Sequence, residues 1–348
     1  MQRRQAGRPQ HENRRQHFPR ARPDAAAPSA EVVARIEATG PHRPIMLREV
    51  LRTLQPRPGD VVVDATLGGG GHAEAMLTHI RPGGRLIGLD VDATELPRAE
   101  ARLRAAGYGA DVCVIQHTNF ADLAAIVAQH TPGGADLVLA DLGVSSMQHD
   151  TPARGFNFRT VGPLDMRMDP SSGGETAAAL LARLDEAALA ALLTSHADEP
   201  HARLIAQLLT RERVTSTHAL ERTVRLGLGS ALPDLPRGDI KLSIRRTLQA
   251  LRIAVNGEFD ALERLLDALP ACLAPGGRVA ILTFHSGEDR RVKKAFQAGH
   301  RAGLYASIAR EVIRSTKEET RANRRASAAK LRWALRAAAA PRTPRTEY

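Results

Sequence analysis

Two periodicities alternate along most of the chain. Short apolar, β-branched runs at Asp60-Val61-Val62-Val63-Asp64, Arg85–Asp90, Asp111–Ile115, Gly134–Asp141 and Gly276–Phe284 predict strands buried on both faces. Between them the spacing changes to i, i+3, i+4, i+7. Leu47, Val50, Leu51 and Leu54 predict a short helix before the first strand, and Ala73, Met76, Leu77 and Ile80 a helix after it. Strands alternating with helices predict a doubly wound, mostly parallel α/β sheet. Near the end, Lys330–Arg336 alternates charge with bulk as a half-exposed strand does, with Ile308–Ser315 as its antiparallel partner.

More than a hundred residues separate the fourth and fifth strands, too many for one crossover helix. Residues 176–193 and 201–214 carry helical periodicity, so this stretch predicts an inserted all-helical lobe. The chain returns along a stripe from Leu248 to Leu269, interrupted at Asn256-Gly257. The expected organisation is a basic, unstructured extension over 1–40 and a sheet domain over 41–150 and 245–338. The helical insertion occupies 151–244, and a short tail covers 339–348.

The first strand runs into Ala65-Thr66-Leu67-Gly68-Gly69-Gly70-Gly71-His72. A strand feeding a helix through glycine is the opening unit of a nucleotide-binding sheet, because the turn is sharp and a ligand must approach bare main chain. Gly68-x-Gly70-x-x-Ala73, with Asp90 closing the second strand, fits a loose dinucleotide fingerprint. Asp64 changes the choice of ligand. A carboxylate there repels a pyrophosphate but suits the ammonium of a methionine moiety, which favours S-adenosylmethionine over NAD. Asp90 suits ribose hydroxyls, and Phe120 offers a face for an adenine ring.

The net charge is +11, and it is unevenly placed. Residues 1–22 carry +6 and residues 310–348 carry +7, leaving −2 for the body between. Basic ends of this kind serve a polyanion, RNA or DNA first. Aromatic residues make up only 3%, so the core is expected to be aliphatic. The two cysteines, Cys113 and Cys272, lie in apolar contexts and argue for a reducing, cytoplasmic setting. No apolar run has membrane-spanning length, and no signal-like segment follows the N-terminus.

The fourth strand opens into Asp141-Leu-Gly-Val-Ser-Ser-Met-Gln148, then Arg154-Gly-Phe-Asn-Phe158 and Gly162-Pro-Leu-Asp-Met-Arg-Met168. Ligands in open α/β sheets bind beyond the carboxyl ends of the strands, so an acceptor is expected here. Together with His42–Val50, Val63–His72, Gln249–Asn256, Phe284-His-Ser and Glu288-Asp-Arg, these segments resemble the bacterial 16S ribosomal RNA cytosine-N4 methyltransferase family (RsmH, or MraW) over about residues 42–336. The resemblance implies a class I S-adenosylmethionine-dependent methyltransferase fold, a Rossmann-like sheet with an inserted all-helical domain. It implies S-adenosylmethionine as methyl donor and a cytidine of 16S rRNA in the small ribosomal subunit as acceptor, with no metal and no membrane, and a homodimer left open. The cofactor contacts it implies are Gly70, Gly71, His72, Asp90, Phe120, Asp141 and Gln148, to which the strand-end argument adds Asp64.

For the chemistry, a cytosine amine must be held in line with the donor while its N–H groups are accepted. Asp141, with Ser145 or Ser146 assisting, is placed for this, and Phe156 or Phe158 for stacking on a flipped base. Arg154, Arg167, Arg290, Lys293 and Lys294 are candidate phosphate contacts. The chain departs from the family pattern mainly in the insertion, at His196–His201 and Leu242–Leu248, and near the end, at Gly287 and Asn323–Ala328. A serine hydrolase built on His285-Ser286 is disfavoured, since no nucleophile elbow exists. A zinc site at His196-x-x-Glu199-Pro-His201 is disfavoured because Pro200 breaks the helix it needs.

Overall fold

A computed structural model describes residues 17–22, 30–38 and 43–338. Eight strands form one sheet: β1 (Val61–Asp64), β2 (Arg85–Asp90), β3 (Cys113–His117), β4 (Ala135–Asp141), β5 (Leu273–Thr283), β6 (Tyr305–Ile308), β7 (Ile313–Arg314) and β8 (Lys330–Arg336). Their order is β3-β2-β1-β4-β5-β8-β6, with β7 also on β8. The first five are parallel; β8 runs antiparallel to β5, β6 and β7. The partner expected for Lys330–Arg336 is thus split in two, with Ala309–Val312 leaving the ladder between them.

Strand side chains alternate between faces, and each face is covered by helices. Val62, Leu86, Leu137 and Leu139 point into one core with α1 (Ala30–Ala38), α2 (Leu47–Leu54), α3 (Gly71–Ile80) and α4 (Leu96–Ala105). Val63, Ile87, Leu89 and Val138 point into the other, with α5 (Leu123–His130). Between β4 and β5 come α6 (Ser146–Asp150), α7 (Ala177–Arg183), α8 (Glu186–Ala197), α9 (Ala202–Thr210), α10 (Thr217–Ala231), α11 (Arg237–Asn256) and α12 (Glu258–Cys272). Helices α7 to α11 close on a third core of their own, while α12 returns to the sheet with Leu262, Leu265 and Leu269. The break expected at Asn256-Gly257 is real: Gly257 adopts φ +58 and ends α11. Helices α13 (Ser286–Arg301) and α14 (Lys317–Ala322) follow β5 and β7.

Two sequence expectations change. Residues 17–22 and 30–38, expected to be unstructured, pack on the body, whereas the rest of 1–40 lies outside the described residues. The reason is a set of buried partners that local composition does not reveal. Trp333 Nε1 donates to the His17 carbonyl at 2.9 Å, Phe18 lies under Arg52, and Arg22 grips Asp60 at 2.6 and 2.9 Å. Val33 and Ile36 are buried against the first core. The basic C-terminal stretch is also less available to a polyanion than its charge suggested: Lys330 and Arg332, in the strand expected at Lys330–Arg336, pair with Asp289.

Asp60 is only 3% exposed, so an unanswered charge there is costly. Arg22→Ala leaves it the Arg57 amide at 3.0 Å and the longer contact to the Arg57 side chain. The substitution is expected to destabilise the fold by about 1–3 kcal/mol in urea denaturation; an unchanged midpoint would show that this arm merely rests on the surface.

Candidate active site

The sheet order reverses between β1 and β4, and there a cavity of about 1360 Å³ opens at the carboxyl ends of the strands, walled on its far side by α11 and the start of α12. The glycine turn forms its floor. Gly68 takes φ +49 and Gly70, capping α3, takes φ +75, left-handed conformations that a side chain resists. The Gly68 amide donates to Asp90 Oδ2 at 2.7 Å, which ties the turn to the end of β2. Burial pushes the Asp90 carboxyl above its ordinary range. Phe120, held by a 3-10 turn that Asn119 caps, lines the same wall half-buried.

Asp64 and Asp141 end neighbouring strands. Asp64 is 1% exposed; one oxygen accepts from the Thr66 amide and Oδ2 has no partner. Burial raises its pKa to about 7. Asp141 faces the cavity and lies close enough to Asp64 for their charges to repel, so burial and that repulsion raise it to about 8. Its Oδ1 is also without a partner. His72 does not neutralise it. The ring Nε2 lies 3.0 Å from the Ile45 carbonyl, which can only accept, so Nε2 holds the proton. Burial lowers the pKa of His72 to about 4, and the bare Nδ1 stands 3.7 Å from Asp141 Oδ2.

The site therefore combines the Asp141 carboxylate on its wall, the Asp64 carboxylate beneath it, a glycine cradle, a third carboxylate on β2 and an aromatic face. S-adenosylmethionine fits this set: a cation beside the acid pair, hydroxyls at Asp90 and a ring at Phe120. Gly71, His72, Asp90, Phe120, Asp141, Ser145, Ser146 and Gln148 all line the cavity. Two expected contacts do not. Asp64 folds beneath the turn, since its own carboxylate caps Thr66, and Gly70 is buried behind Gly69 and Gly71 as the helix cap.

Other side chains are less free than the sequence suggested. Ser145 and Gln148 form a capping box on α6, and Gln148 Nε2 donates to Asp92 at 2.8 Å. Phe156, 9% exposed and part of the helical core, and the half-buried Phe158 packed against that core both line the cavity, Phe158 being the more open of the two. Arg154 is bound to Asp92 and Arg167 to Asp165, both largely out of solvent, whereas Arg290 pairs with Asp198 on the surface and Lys293 and Lys294 are exposed on α13.

The opposite wall went unassigned by sequence reasoning. Arg252 forks onto both oxygens of Glu258 at 2.8 Å, and Glu288 Oε2 accepts from the amides of Phe284 and His285. Glu258, His285 and Glu288 lie close enough to share a cation; Arg252 forks onto Glu258, the amides take Glu288 Oε2, and Glu288 Oε1 stands 3.1 Å from His285 Nε2. The signal was the i, i+4 pair Arg252 and Asn256, one helical turn apart on α11. His285 caps α13 and Asp289 pairs with β8, so His285, Ser286 and Asp289 form no hydrolytic triad.

Residues 39–337 match the MraW methylase family. The chain is 42% identical over 330 residues to ribosomal RNA small subunit methyltransferase H 2 of Alkaliphilus metalliredigens, covering 93% of this chain and 94% of that one. It is 46% identical over 306 residues to ribosomal RNA small subunit methyltransferase H of Synechococcus sp. (strain CC9605), covering 86% and 98%. Both alignments run through the cavity and the helical lobe.

Both acids are raised, so in the ligand-free protein the stability they lend is present at low pH and lost as pH climbs through about 7 and then about 8. Ligand-free melting temperature is expected to fall from pH 6.5 to 8.5, by about 2 °C or more per unit. Asp64→Asn should flatten that fall, and donor affinity in calorimetry should rise over the same interval. A melting temperature that climbs with pH would contradict the protonated pair.

Proposed function

Because this chain belongs to the MraW methylase family, we propose that it transfers a methyl group from S-adenosylmethionine to the exocyclic N4 of a cytidine in 16S ribosomal RNA of the small subunit. The observation that carries the reading is the Asp141 carboxylate, facing the cavity at the end of β4 with no cation of the protein against it among the described residues.

When bound, the donor supplies an electrophilic methyl carbon on a positively charged sulfur; the protein's task is to orient and to accept protons. Asp90 would hold the ribose and Phe120 the adenine, and the acid pair would favour the cationic end. The cytosine amine is a weak nucleophile because its lone pair is conjugated into the ring. An acceptor on its N–H bonds localises that pair as the nitrogen attacks. Asp141 provides one acceptor, and the carbonyls of Leu142 or Gly143 another; Gly143 takes φ +98, which turns the chain sharply beside Phe284. The N–C bond forms as the C–S bond breaks, and the amine proton passes to Asp141. A carboxylate whose pKa lies near 8 when uncompensated is suited to receive it. Ser146 lines the cavity at the start of α6 and can assist; Ser145 keeps its oxygen on the cap.

The acceptor base would enter between the Asp141 loop and the helical lobe, flipped from its strand and stacked on Phe158. Arg159, Arg245 and Arg324 line the rim, and Lys241 lies one turn from Arg245 on α11. These cations suit an RNA backbone. We read the α7–α11 lobe as the part that selects the substrate. A substrate of this class, and two buried free thiols, favour a cytoplasmic enzyme. No helix among the described residues is long and apolar enough to cross a membrane.

Asp141→Ala is expected to slow single-turnover methyl transfer at saturating donor by about 10²-fold or more, read by labelled-methyl incorporation into small-subunit RNA. Transfer near the wild-type rate rules out the role given to Asp141. Absence of N4-methylcytidine from RNA treated with the wild-type enzyme rules out the target.

A further inference from the structure

Arg154 and Gln148 converge on one carboxylate that touches neither the cavity nor, on the reading above, either substrate. Asp92 is fully buried just beyond β2. Its Oδ1 accepts from the amide and hydroxyl of Thr94 at 2.9 and 2.5 Å. Its Oδ2 accepts from Gln148 Nε2 and Arg154 Nη1, both at 2.8 Å. Its own amide donates to Asp90 Oδ1 at 2.9 Å, so it hangs from the residue expected to hold the ribose.

From Arg154 the contact continues across the cavity. Nη2 donates to the carbonyls of Arg167 at 3.0 Å and Met168 at 2.8 Å. Asn256 of α11 grips the same segment from the other side: Nδ2 donates to the Met166 carbonyl, and Oδ1 accepts from the Met168 amide. Met166 adopts φ +64, a left-handed conformation that needs such holding. The side chains of Met166 and Met168 form part of the cavity wall. The segment that shapes the acceptor side is therefore fixed from the donor side through one buried ion pair.

We propose that Asp92, acting through Arg154, is a positioning residue that sets the 166–168 wall at its working distance from the donor. It makes no contact with base or donor itself. A buried guanidinium forked onto two carbonyls, with its charge answered by a buried carboxylate, is rigid because neither partner can be released without stranding a charge. In-line transfer is steeply sensitive to such placement. This inference rests on the methyl-transfer reading for its kinetic test but not for its structural one.

The experiment compares Asp92→Asn, Arg154→Gln and Arg154→Lys with the wild type in donor affinity by calorimetry, steady-state kinetics on small-subunit RNA, and amide hydrogen exchange. Asp92→Asn places an amide where Arg154 and Gln148 both donate. It is expected to lower kcat by about 10- to 100-fold, to change the donor Kd by less than about threefold, and to speed exchange of residues 162–168 while α3 exchanges as before. Arg154→Lys keeps the charge but loses the fork and is expected to lie between. If Asp92→Asn does not fold, the two Arg154 variants are judged by the same criteria. Unchanged kcat with unchanged exchange overturns the proposal, as does a kcat loss matched by equal loss of donor affinity. Should the wild type methylate no RNA at all, the functional reading fails, and exchange at 162–168 still decides whether Asp92 holds the wall.

Discussion

Two carboxylates on adjacent parallel strands, Asp64 buried and Asp141 partly open to the cavity, with no basic group among the described residues to answer them, are the constraint around which the site is arranged. Asp64 and Asp141 are brought together by the register of β1 against β4, where Asp64 stands opposite Leu139. Holding this pair together is costly, because Asp64 is buried and each unanswered charge raises the cost of the other. The neighbouring imidazole cannot help: a backbone carbonyl fixes its proton on the far nitrogen. The pair is instead balanced by protonation, and it awaits a positive ligand. That arrangement suits a cationic sulfonium donor, and in the proposed function Asp141 is the group that would take the product's proton.

The remaining structure divides its labour around this pair. The sheet, the glycine turn and Asp90 shape the donor side. The helical lobe, with its own core, brings α11 and the 154–168 segment over the cavity as the acceptor side. Few groups join the halves. Asp92 and Arg154 do so from behind the cavity wall, just beyond β2, and Asn256 does so from the lobe. Separate cores let the lobe vary in sequence without disturbing the sheet, which accords with the departures from the family pattern falling mainly there and near the end of the chain.

Much of this was legible in the chain because strands and their glycine turn are local signals. The runs ending at Asp64, Asp90 and Asp141 mark the strand ends, and the rule that ligands gather there selects most of the cavity floor. What was not legible depends on partners far away in sequence. Whether Arg154 is free for a phosphate is decided by Asp92, 62 residues earlier. How open Phe156 and Phe158 are to the cavity they both line is decided by helices that arrive later. His17, Phe18 and Arg22 look unstructured until Trp333, Arg52 and Asp60 are placed beside them. Asp64 was read from the sequence as an acid facing the donor, whereas it lies beneath the cavity surface, since the turn that covers it is its own.

The position of β8 has a consequence for how the molecule is made. It is the last strand in the chain, yet it lies inside the sheet, between β5 and β6. Until it arrives, the free edge of β5 and both short strands β6 and β7 lack their hydrogen-bonding neighbour. A chain leaving the ribosome therefore carries an open seam through the middle of its sheet, which closes only when residues 330–336 emerge and slot in, a step of high contact order.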